Sequence, residues 1–249
     1  MEESLKIILI AIVLLAVLSF LSNLTLKSII LPNVTVGETK KIILSNESIL
    51  RISMNIPAVD EEGNGVVTKL MVEAKPGDGR VLVDINQLLF WVDTQNSIRV
   101  AQKVAQNYTN TDLSSIDLIY AVETNASIIG GPSAGAAMTV ATIALLENKS
   151  LNQSVMMTGT INSDGSIGPV GEIVSKAKAA KDVGATLFLV PEGQAVQTYY
   201  KPVEHCEKFG PVTYCSTEYK PEKIDVSKEV GITVKEVSNI QEALQYFLE

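Results

Sequence analysis

Histidine, cysteine and tryptophan are nearly absent from this chain of 249 residues, which has one His, two Cys and one Trp. Any Ser-His-Asp triad or Cys-His dyad would have to use His205, which lies far in sequence from the other candidate catalytic residues. A zinc site of the His/Cys type would have only His205, Cys206 and Cys215, and their spacing suits no zinc-binding pattern. These absences argue against histidine-dependent hydrolysis, and we predict neither a metal nor another cofactor.

Several functional motifs are also missing. There is no G-x-x-x-x-G-K-[ST] pattern, so the sequence carries no nucleotide-hydrolysing P-loop. The D-[ST]-G pattern of aspartic proteases is absent, because Asp164 is followed by Gly-Ser, and DEEGNG at 60–65 is a turn rather than a calcium loop. The net charge is −8 with acids and bases mixed, and no basic stripe could neutralise phosphates. Nucleic acid is therefore excluded as a predicted partner.

What the chain does have is a long uncharged run at its N-terminus. No charged residue occurs for 20 residues between Lys6 and Lys27, and about 20 helical residues cross a bilayer core. A cleaved signal peptide is the alternative, but the leader is not clearly basic and no small-x-small cleavage site stands out. We predict an uncleaved transmembrane anchor at residues 1–27, which makes the membrane a partner, followed by a linker at 28–50.

Two features favour a location outside the cytoplasm. Cys206 and Cys215 lie nine apart around a Gly-Pro turn, which suits a small disulfide loop in an oxidising compartment. Seven of the fourteen asparagines also lie in Asn-x-Ser/Thr sequons, although each sequon alone is weak evidence. These asparagines are Asn23, Asn33, Asn46, Asn107, Asn125, Asn148 and Asn152. The alternative is two free thiols and no glycans.

The remainder, residues 51–249, has the pattern of one α/β domain with a mixed sheet and packed helices. Hydrophobic residues make up 46% of the chain, enough for a sizeable core. Apolar runs and turn signals predict strands at 66–74, 80–85, 116–122, 155–161, 186–191 and 232–237. Helical periodicity predicts helices over about 93–106, from Pro132 to about Glu147, over 172–183 and at 240–247.

A lone serine stands at the start of the most apolar helix, in GGPSAG. Gly130 and Gly131 allow a tight turn, and Pro132 fixes φ at the first helical turn. Ser133 is therefore at a helix N-terminus, where the free N–H groups of Gly130, Gly131 and Ser133 are candidates to stabilise an oxyanion. The position alone leaves two interpretations open, an ordinary helix cap or a nucleophile.

A serine nucleophile without histidine needs another base, and lysine can serve if it is held neutral. On the helix at 172–183, Lys176 falls on the apolar stripe, whereas Lys178 and Lys181 lie on the other face. Burial would lower its pKa from about 10.4 toward the useful range of about 7–8. The alternative is a lysine that extends its ammonium to the surface.

Together these residues resemble the proteolytic domain of Lon proteases, over roughly residues 50–249. That family has a nucleophilic serine in G-P-S-A-G and a general-base lysine 43 residues later, after a P-x-G-G-type turn. Here Ser133 lies in GPSAG, and Lys176 follows 43 residues later, after GPVGE. The family's T-G-E strand corresponds to MTGT, so Thr158 matches the threonine that contacts the lysine. The resemblance implies a Lon-type α/β fold and a serine endopeptidase with a Ser133–Lys176 dyad.

The chain departs from the family pattern at two positions beside the motifs. Gly130 replaces the aspartate that commonly precedes G-P-S-A-G, and Thr160 replaces the acid of T-G-E, so we expect the oxyanion site to differ locally from that of the family. The segment 201–222 with its two cysteines is expected to be an addition to the family core.

The resemblance also bears on partners. Classical Lon proteins carry an ATPase module that this sequence lacks, so it resembles the stand-alone, membrane-anchored proteases of archaea. Either a separate ATPase partner supplies substrate, or the enzyme cleaves unfolded or flexible polypeptides without ATP. Domains of this family form rings, which implies a homo-oligomer.

Two other functions are weighed against this one. The first is a catalytically silent Lon-like module that binds or scaffolds at the membrane. The second is a signal-peptide-processing Ser-Lys peptidase, which the GPSAG context and the distance from the anchor to Ser133 make weaker. Retention of Ser133, Lys176 and Thr158 favours the peptidase over the silent module.

Overall fold

The computed structural model describes residues 40–41, 49–85, 92–124 and 131–248. The predicted anchor at 1–27, most of the predicted linker, Asn125 and Gly130 lie outside this part of the chain. No helix within these ranges is long and apolar enough to cross a membrane.

A four-stranded mixed sheet forms one layer of the fold. Its strand order is β2-β3-β6-β4, and the strands pair antiparallel except for the parallel pair β4–β6. Along β3 the buried side chains are Thr68, Leu70, Val72 and Ala74, the period of two that a sheet with one core face requires. The strands are β2 (Leu50–Val59), β3 (Gly65–Pro76), β4 (Val81–Val83) and β6 (Ile116–Glu123).

A second sheet is parallel and three-stranded, in the order β13-β10-β7. Its central strand, β10, is almost continuously apolar, as expected of a parallel strand covered on both faces. The strands are β7 (Val155–Met157), β10 (Leu187–Pro191) and β13 (Thr233–Val237). The α/β architecture with a mixed sheet agrees with the prediction from sequence.

The helices cover these sheets. Helix α2 is buried along nearly its whole surface, because it packs against α1, α5, β2 and β3. Helix α1 buries the predicted stripe of Ile98, Ala101, Val104 and Ala105. The helices are α1 (Val92–Thr109), α2 (Gly135–Glu147), α3 (Ile173–Asp182), α4 (Val226–Val230) and α5 (Ile240–Phe247).

The segment predicted as a disulfide loop is a long β-hairpin. Strands β11 (Val196–Phe209) and β12 (Val212–Asp225) pair antiparallel along their whole length and are mostly exposed. Cys206 and Cys215 are register partners in this ladder and form a disulfide. The predicted addition at 201–222 therefore has regular structure, and it begins earlier and ends later than expected.

Two small pairs complete the fold. Strands β8 (Thr160–Ile161) and β9 (Ile167–Gly168) pair antiparallel in a short hairpin. Strand β1 (Lys40–Lys41) pairs parallel with β5 (Thr111–Asp112), so this part of the predicted linker is attached to the domain.

Candidate active site

Ser133 lies on a 3₁₀ turn, Pro132–Ala134, that leads directly into α2. Pro132 begins the turn, and Gly131 before it has φ 109°, a conformation that L-residues rarely adopt. The Gly131 position faces open space, since a Cβ there would meet nothing within 4 Å. The turn therefore presents half-buried Ser133 at the end of a buried helix, next to an open region.

Ser133 does not cap a helix. The residue that precedes the 3₁₀ turn is Gly131, the one that precedes α2 is Ala134, and neither helix start has a side-chain cap. Elsewhere in the fold, Asp225 and Asn239 do accept capping hydrogen bonds at the starts of α4 and α5. The capping interpretation of Ser133 therefore loses its structural basis.

We call Gly131 and the 3₁₀ turn Pro132–Ala134 the serine turn. Its backbone is held by three hydrogen bonds from residues that are distant in sequence. The Ser133 carbonyl accepts from the Gly159 N–H at 2.8 Å and from the Thr158 hydroxyl at 3.3 Å. The Gly131 carbonyl accepts from the Thr94 hydroxyl at 3.2 Å. These contacts fix the turn from the end of β7 and from the start of α1.

Thr94 is a site residue that the sequence did not identify in this role. The sequence indicated only that a helix begins near residue 93, and in the structure Thr94 is buried against the serine turn. No sequence signal connects Thr94 with Gly131, 37 residues away, because the contact depends on how α1 packs against the turn.

Lys176 is buried on the inner face of α3, with a relative exposure of 4%. Its neighbours on that face are Ile173, Ala177 and Ala180, all buried. Burial lowers the pKa of Lys176 from 10.5 to about 8, and the Glu172 carboxylate opposes this shift. No ion pair reaches Lys176 from elsewhere in the described ranges, so its ammonium lacks a neutralising contact there.

The serine turn and α3, the lysine helix that carries Lys176, both pack against strand β2. Thr158 is in direct contact with Ser133, and the contact that we predicted between Thr158 and Lys176 stays a prediction. His205 lies exposed on β11 opposite Ser216, away from both hydrophobic clusters of the domain. Gly130, one of the predicted oxyanion residues, lies outside the described residues.

Comparison with known proteins finds a family profile and several relatives that are similar to this part of the chain. Residues 94–207 match the profile described as the Lon protease (S16) C-terminal proteolytic domain, a range that contains Ser133, Thr158 and Lys176. The chain is 33% identical over 112 residues to Lon protease 2 of Bacillus subtilis, covering 41% of this chain and 20% of that protein.

Archaeal relatives are similar over longer stretches. The archaeal Lon protease of Methanothermobacter thermautotrophicus is 25% identical over 140 residues, which is 54% of this chain and 21% of that protein. That of Archaeoglobus fulgidus is 24% identical over 198 residues, which is 77% of this chain and 27% of that protein. The chain thus spans only a fifth to a quarter of the length of these relatives. Residues 94–207, which contain Ser133, Thr158 and Lys176, are thus similar to the proteolytic domain of the Lon proteases.

Proposed function

We propose that the domain is a serine endopeptidase in which Ser133 is the nucleophile and Lys176 the general base. The observation that carries the proposal is the burial of Lys176, which brings its pKa to about 8. A lysine with an ordinary pKa would be almost fully protonated at neutral pH and could not accept a proton. At pH 7 a group with this pKa is neutral in about one-tenth of the molecules, enough for a working base.

The reaction follows from these two side chains. The neutral Lys176 amine takes the proton of the Ser133 hydroxyl, and the Ser133 oxygen attacks the peptide carbonyl. The protonated Lys176 then gives its proton to the departing amine, and water hydrolyses the acyl-enzyme with Lys176 again as the base. We propose unfolded or flexible polypeptides as the substrates, because their backbone can reach the half-buried Ser133.

The oxyanion that forms in this reaction needs hydrogen-bond donors. We assign these to backbone N–H groups around Ser133, with Gly131 and Ser133 as the candidates within the described residues. The N-terminal end of the serine turn and α2 favours negative charge at this point. Thr158 supports the site by holding the Ser133 carbonyl, and we propose that it also orients Lys176.

The test uses the full chain and an unfolded, fluorescently labelled polypeptide such as casein. We expect Ser133→Ala and Lys176→Ala each to reduce hydrolysis by at least 10³-fold, the scale of losses from an acting catalytic unit. Lys178→Ala is the matched control, because it removes an exposed lysine from the same helix. Equal hydrolysis by the wild type and by both variants would refute the dyad.

A second measurement separates an enzyme from a silent module. A phosphonate probe, which phosphonylates activated serines with loss of its leaving group, should label Ser133 in the wild type and not in Lys176→Ala, because the hydroxyl needs the base. A well-folded wild-type protein that neither labels nor hydrolyses would indicate a binding or scaffolding module.

We further propose that the domain works outside the cytoplasm, anchored by residues 1–27, as a homo-oligomer that needs no ATPase partner. The disulfide between Cys206 and Cys215 supports an oxidising compartment, where ATP is scarce. Glycan on the sequons of the native protein, detected by mass spectrometry, would support this location. Recovery of the protein in the cytoplasmic fraction, without glycan, would contradict this location.

A further inference from the structure

The hairpin of β11 and β12 is a two-stranded sheet, and no other strand of the described residues pairs with its outer edges. Its register runs without a bulge from the pair Val196–Asp225 to the pair Phe209–Val212. Edge strands present unpaired N–H and C=O groups, which form a template for pairing with another chain. The hairpin therefore has two long edges at which a further strand can add.

The position of the disulfide shows which backbone groups point outward. The Cα atoms of Cys206 and Cys215 lie 4.0 Å apart, the close spacing of a non-hydrogen-bonded pair in an antiparallel ladder. In such a pair the N–H and C=O groups of both residues point away from the partner strand. Because the register has no bulge, every second residue along each strand shares this direction. Pro202 and Pro221 occupy such positions, where a residue without an N–H costs no ladder hydrogen bond.

The β11 edge is protected against strand addition. Pro202 removes one outward donor, and the stretch toward the tip carries charged side chains at Glu204, Glu207 and Lys208. Proline and charged residues on an edge strand prevent pairing with another chain. An apolar strand that added at this edge would have to bury some of these charges.

The β12 edge lacks this protection near the tip of the hairpin. Residues 209–217 contain no charged side chain, and Pro221 lies beyond them toward the base. The outward N–H and C=O groups of this stretch belong to Thr213, Cys215 and Thr217, which are all exposed. This part of the edge therefore offers three donors and three acceptors in a row to an added strand.

An apolar patch lies beside this edge, on the face of the hairpin opposite the disulfide. Phe209 pairs with Val212, and Tyr214 is two residues further along β12, so the three side chains share one face. Their relative exposures are 65%, 62% and 65%. We call these three residues the tip patch. Exposed apolar patches mark binding sites, and aromatic residues are enriched at the centres of protein interfaces.

The composition of this region indicates the kind of partner. Anionic membrane surfaces and nucleic acids attract lysine and arginine, and residues 209–217 contain neither. An extended apolar segment of a polypeptide fits both features, because its backbone pairs with the edge and its alternate side chains contact the patch. Unfolded polypeptides expose such segments, whereas folded proteins bury most of them.

The base of the hairpin is fixed to the part of the domain that holds Lys176. Gln194, two residues before β11, accepts a hydrogen bond from the Val170 N–H at 3.0 Å and donates one to the Val170 carbonyl at 2.9 Å. Val170 lies three residues before α3. At the other end of the hairpin, β12 leads directly into α4, which packs against α3. A polypeptide that binds the hairpin is therefore tethered to the lysine side of the candidate site.

We propose that the β12 edge at 212–217, together with the tip patch, binds extended apolar segments of unfolded polypeptides by strand addition. The added strand pairs with the three outward residues of this edge and places alternate side chains against the tip patch. This role deepens the proposed function and rests on it for the fate of the bound chain, which is the substrate of the Ser133–Lys176 reaction. The disulfide keeps the hairpin formed, since an isolated two-stranded hairpin is only marginally stable.

The experiment measures binding without hydrolysis, with the full chain carrying Ser133→Ala and unfolded, fluorescently labelled casein. Thr217→Pro removes one outward N–H from the β12 edge. Glu204→Pro, at the register partner, removes one from the β11 edge and is the matched control. We expect Thr217→Pro to raise the Kd about three- to tenfold, the loss of one main-chain hydrogen bond, and Glu204→Pro to bind no more weakly than the parent.

A second pair of variants tests the tip patch without changing the backbone. Tyr214→Ser removes a ring of the patch, and Tyr200→Ser removes an equally exposed ring from the other face of the hairpin, near its base. We expect the first to raise the Kd about three- to tenfold and the second to leave it unchanged. Both replace exposed side chains, so both should unfold at the temperature of the parent protein.

Amide hydrogen exchange locates the bound chain directly. Casein should protect the outward amides of the β12 edge and leave those of the β11 edge at their free rates. The β12 amides are those of Thr213, Cys215 and Thr217, and the β11 amides are those of Glu204, Cys206 and Lys208.

Several outcomes would overturn the proposal. Thr217→Pro and Tyr214→Ser could bind casein like the parent protein, or their two controls could weaken binding equally. A change in oligomeric state in Thr217→Pro, with unchanged casein binding, would assign the edge to a second copy of the chain. Protection of the β12 amides by phosphatidylcholine vesicles and not by casein would assign the tip to a membrane.

Hydrolysis by chains with an intact Ser133 distinguishes the two proposals. If both hold, Thr217→Pro should raise the KM for casein about three- to tenfold with an unchanged kcat, and hydrolysis of a short peptide that cannot span to the hairpin should not change. Casein binding that depends on Thr217, in a protein without Ser133-dependent hydrolysis, would leave the hairpin site standing and refute the peptidase.

Discussion

The positive charge of Lys176 destabilises the folded domain. The folded domain lowers its pKa from 10.5 to about 8, whereas the unfolded chain keeps the ordinary value. Below pH 8 the protonated lysine therefore destabilises the folded state by about 3 kcal/mol, at about 1.36 kcal/mol per pKa unit. Between pH 8 and 10.5 the unfolded chain binds the extra proton, so stability rises with pH through this window.

Lys176→Met keeps most of the length of the side chain, lacking only the terminal ammonium position, and removes the charge. We expect it to abolish hydrolysis and to raise the free energy of unfolding at pH 7 by about 1–3 kcal/mol, a gain that disappears above pH 10.5. Urea unfolding of both proteins at pH 7 and at pH 10, where only a small part of the gain should remain, measures the difference. A variant less stable than wild type at pH 7 would show that the lysine is solvated.

The same residue predicts the pH dependence of the reaction. Because only the neutral amine accepts a proton, kcat/KM should rise with pH around a midpoint of about 8 and fall to about one-tenth of its plateau at pH 7. Lys176→Arg should be inactive at every pH, since guanidinium does not lose its proton in proteins. Full activity of the wild type at pH 6 would exclude Lys176 as the base.

At the scale of elements, α3 can hold Lys176 in place only because β3 approaches it closely. A Cβ at Gly65 would lie 2.0 Å from the carbonyl oxygen of Ser175, a backbone atom that cannot move alone. We expect Gly65→Ala to displace α3, to destabilise the fold by about 1–3 kcal/mol and to reduce kcat. Gly171→Ala is the control, since a Cβ there meets nothing within 4 Å. Thermal unfolding and hydrolysis of both variants check this, and a fully active Gly65→Ala would contradict it.

Elements with an apolar stripe were predictable, and those without one were not. The stripes of α1 and α3 are buried as predicted, because one face of each helix meets the core. Strand β2 was missed, since Asn55 and Pro57 interrupt its pattern and are typical of loops. The hairpin was predicted as a loop because both its faces are exposed, so no alternation of apolar and polar residues marks its strands.

The site residues divide in the same way. Ser133 and Lys176 could be proposed from the sequence because each conflicts with its surroundings, a serine before an apolar helix and a lysine on an apolar stripe, and their catalytic roles stay predictions. The run 155–161 was predicted as one strand, but Thr158 and Gly159 leave the ladder to hold the Ser133 carbonyl. The strand ends before Thr158 because Thr158 bonds to Ser133, 25 residues earlier. A local sequence pattern gives no information about a contact over that separation.

At the scale of the whole molecule, the two proposed catalytic residues rest on different parts of the core. The serine turn continues into α2, whose Ala136 and Ala137 belong to the larger hydrophobic cluster. The lysine helix contributes Ile173 and Ala177 to the smaller one. Strand β7 connects the two clusters, because Met156 packs into the smaller and Met157 into the larger. Thr158 directly follows Met157 in the sequence. It is therefore placed to fix the position of the serine turn relative to the lysine helix.

The hairpin, by contrast, stands outside both clusters, which contain no residue of β11 or β12. The disulfide should therefore stabilise the hairpin locally rather than the whole domain. Closing a loop of about ten residues restricts the open state by about 2–3 kcal/mol. Upon reduction we expect amide hydrogen exchange in residues 196–225 to accelerate about 30- to 100-fold, while the two cores keep their protection. Cys206→Ser with Cys215→Ser should reproduce this without reductant, and a global unfolding midpoint that falls by the same free energy would show that the hairpin and the domain unfold as one unit.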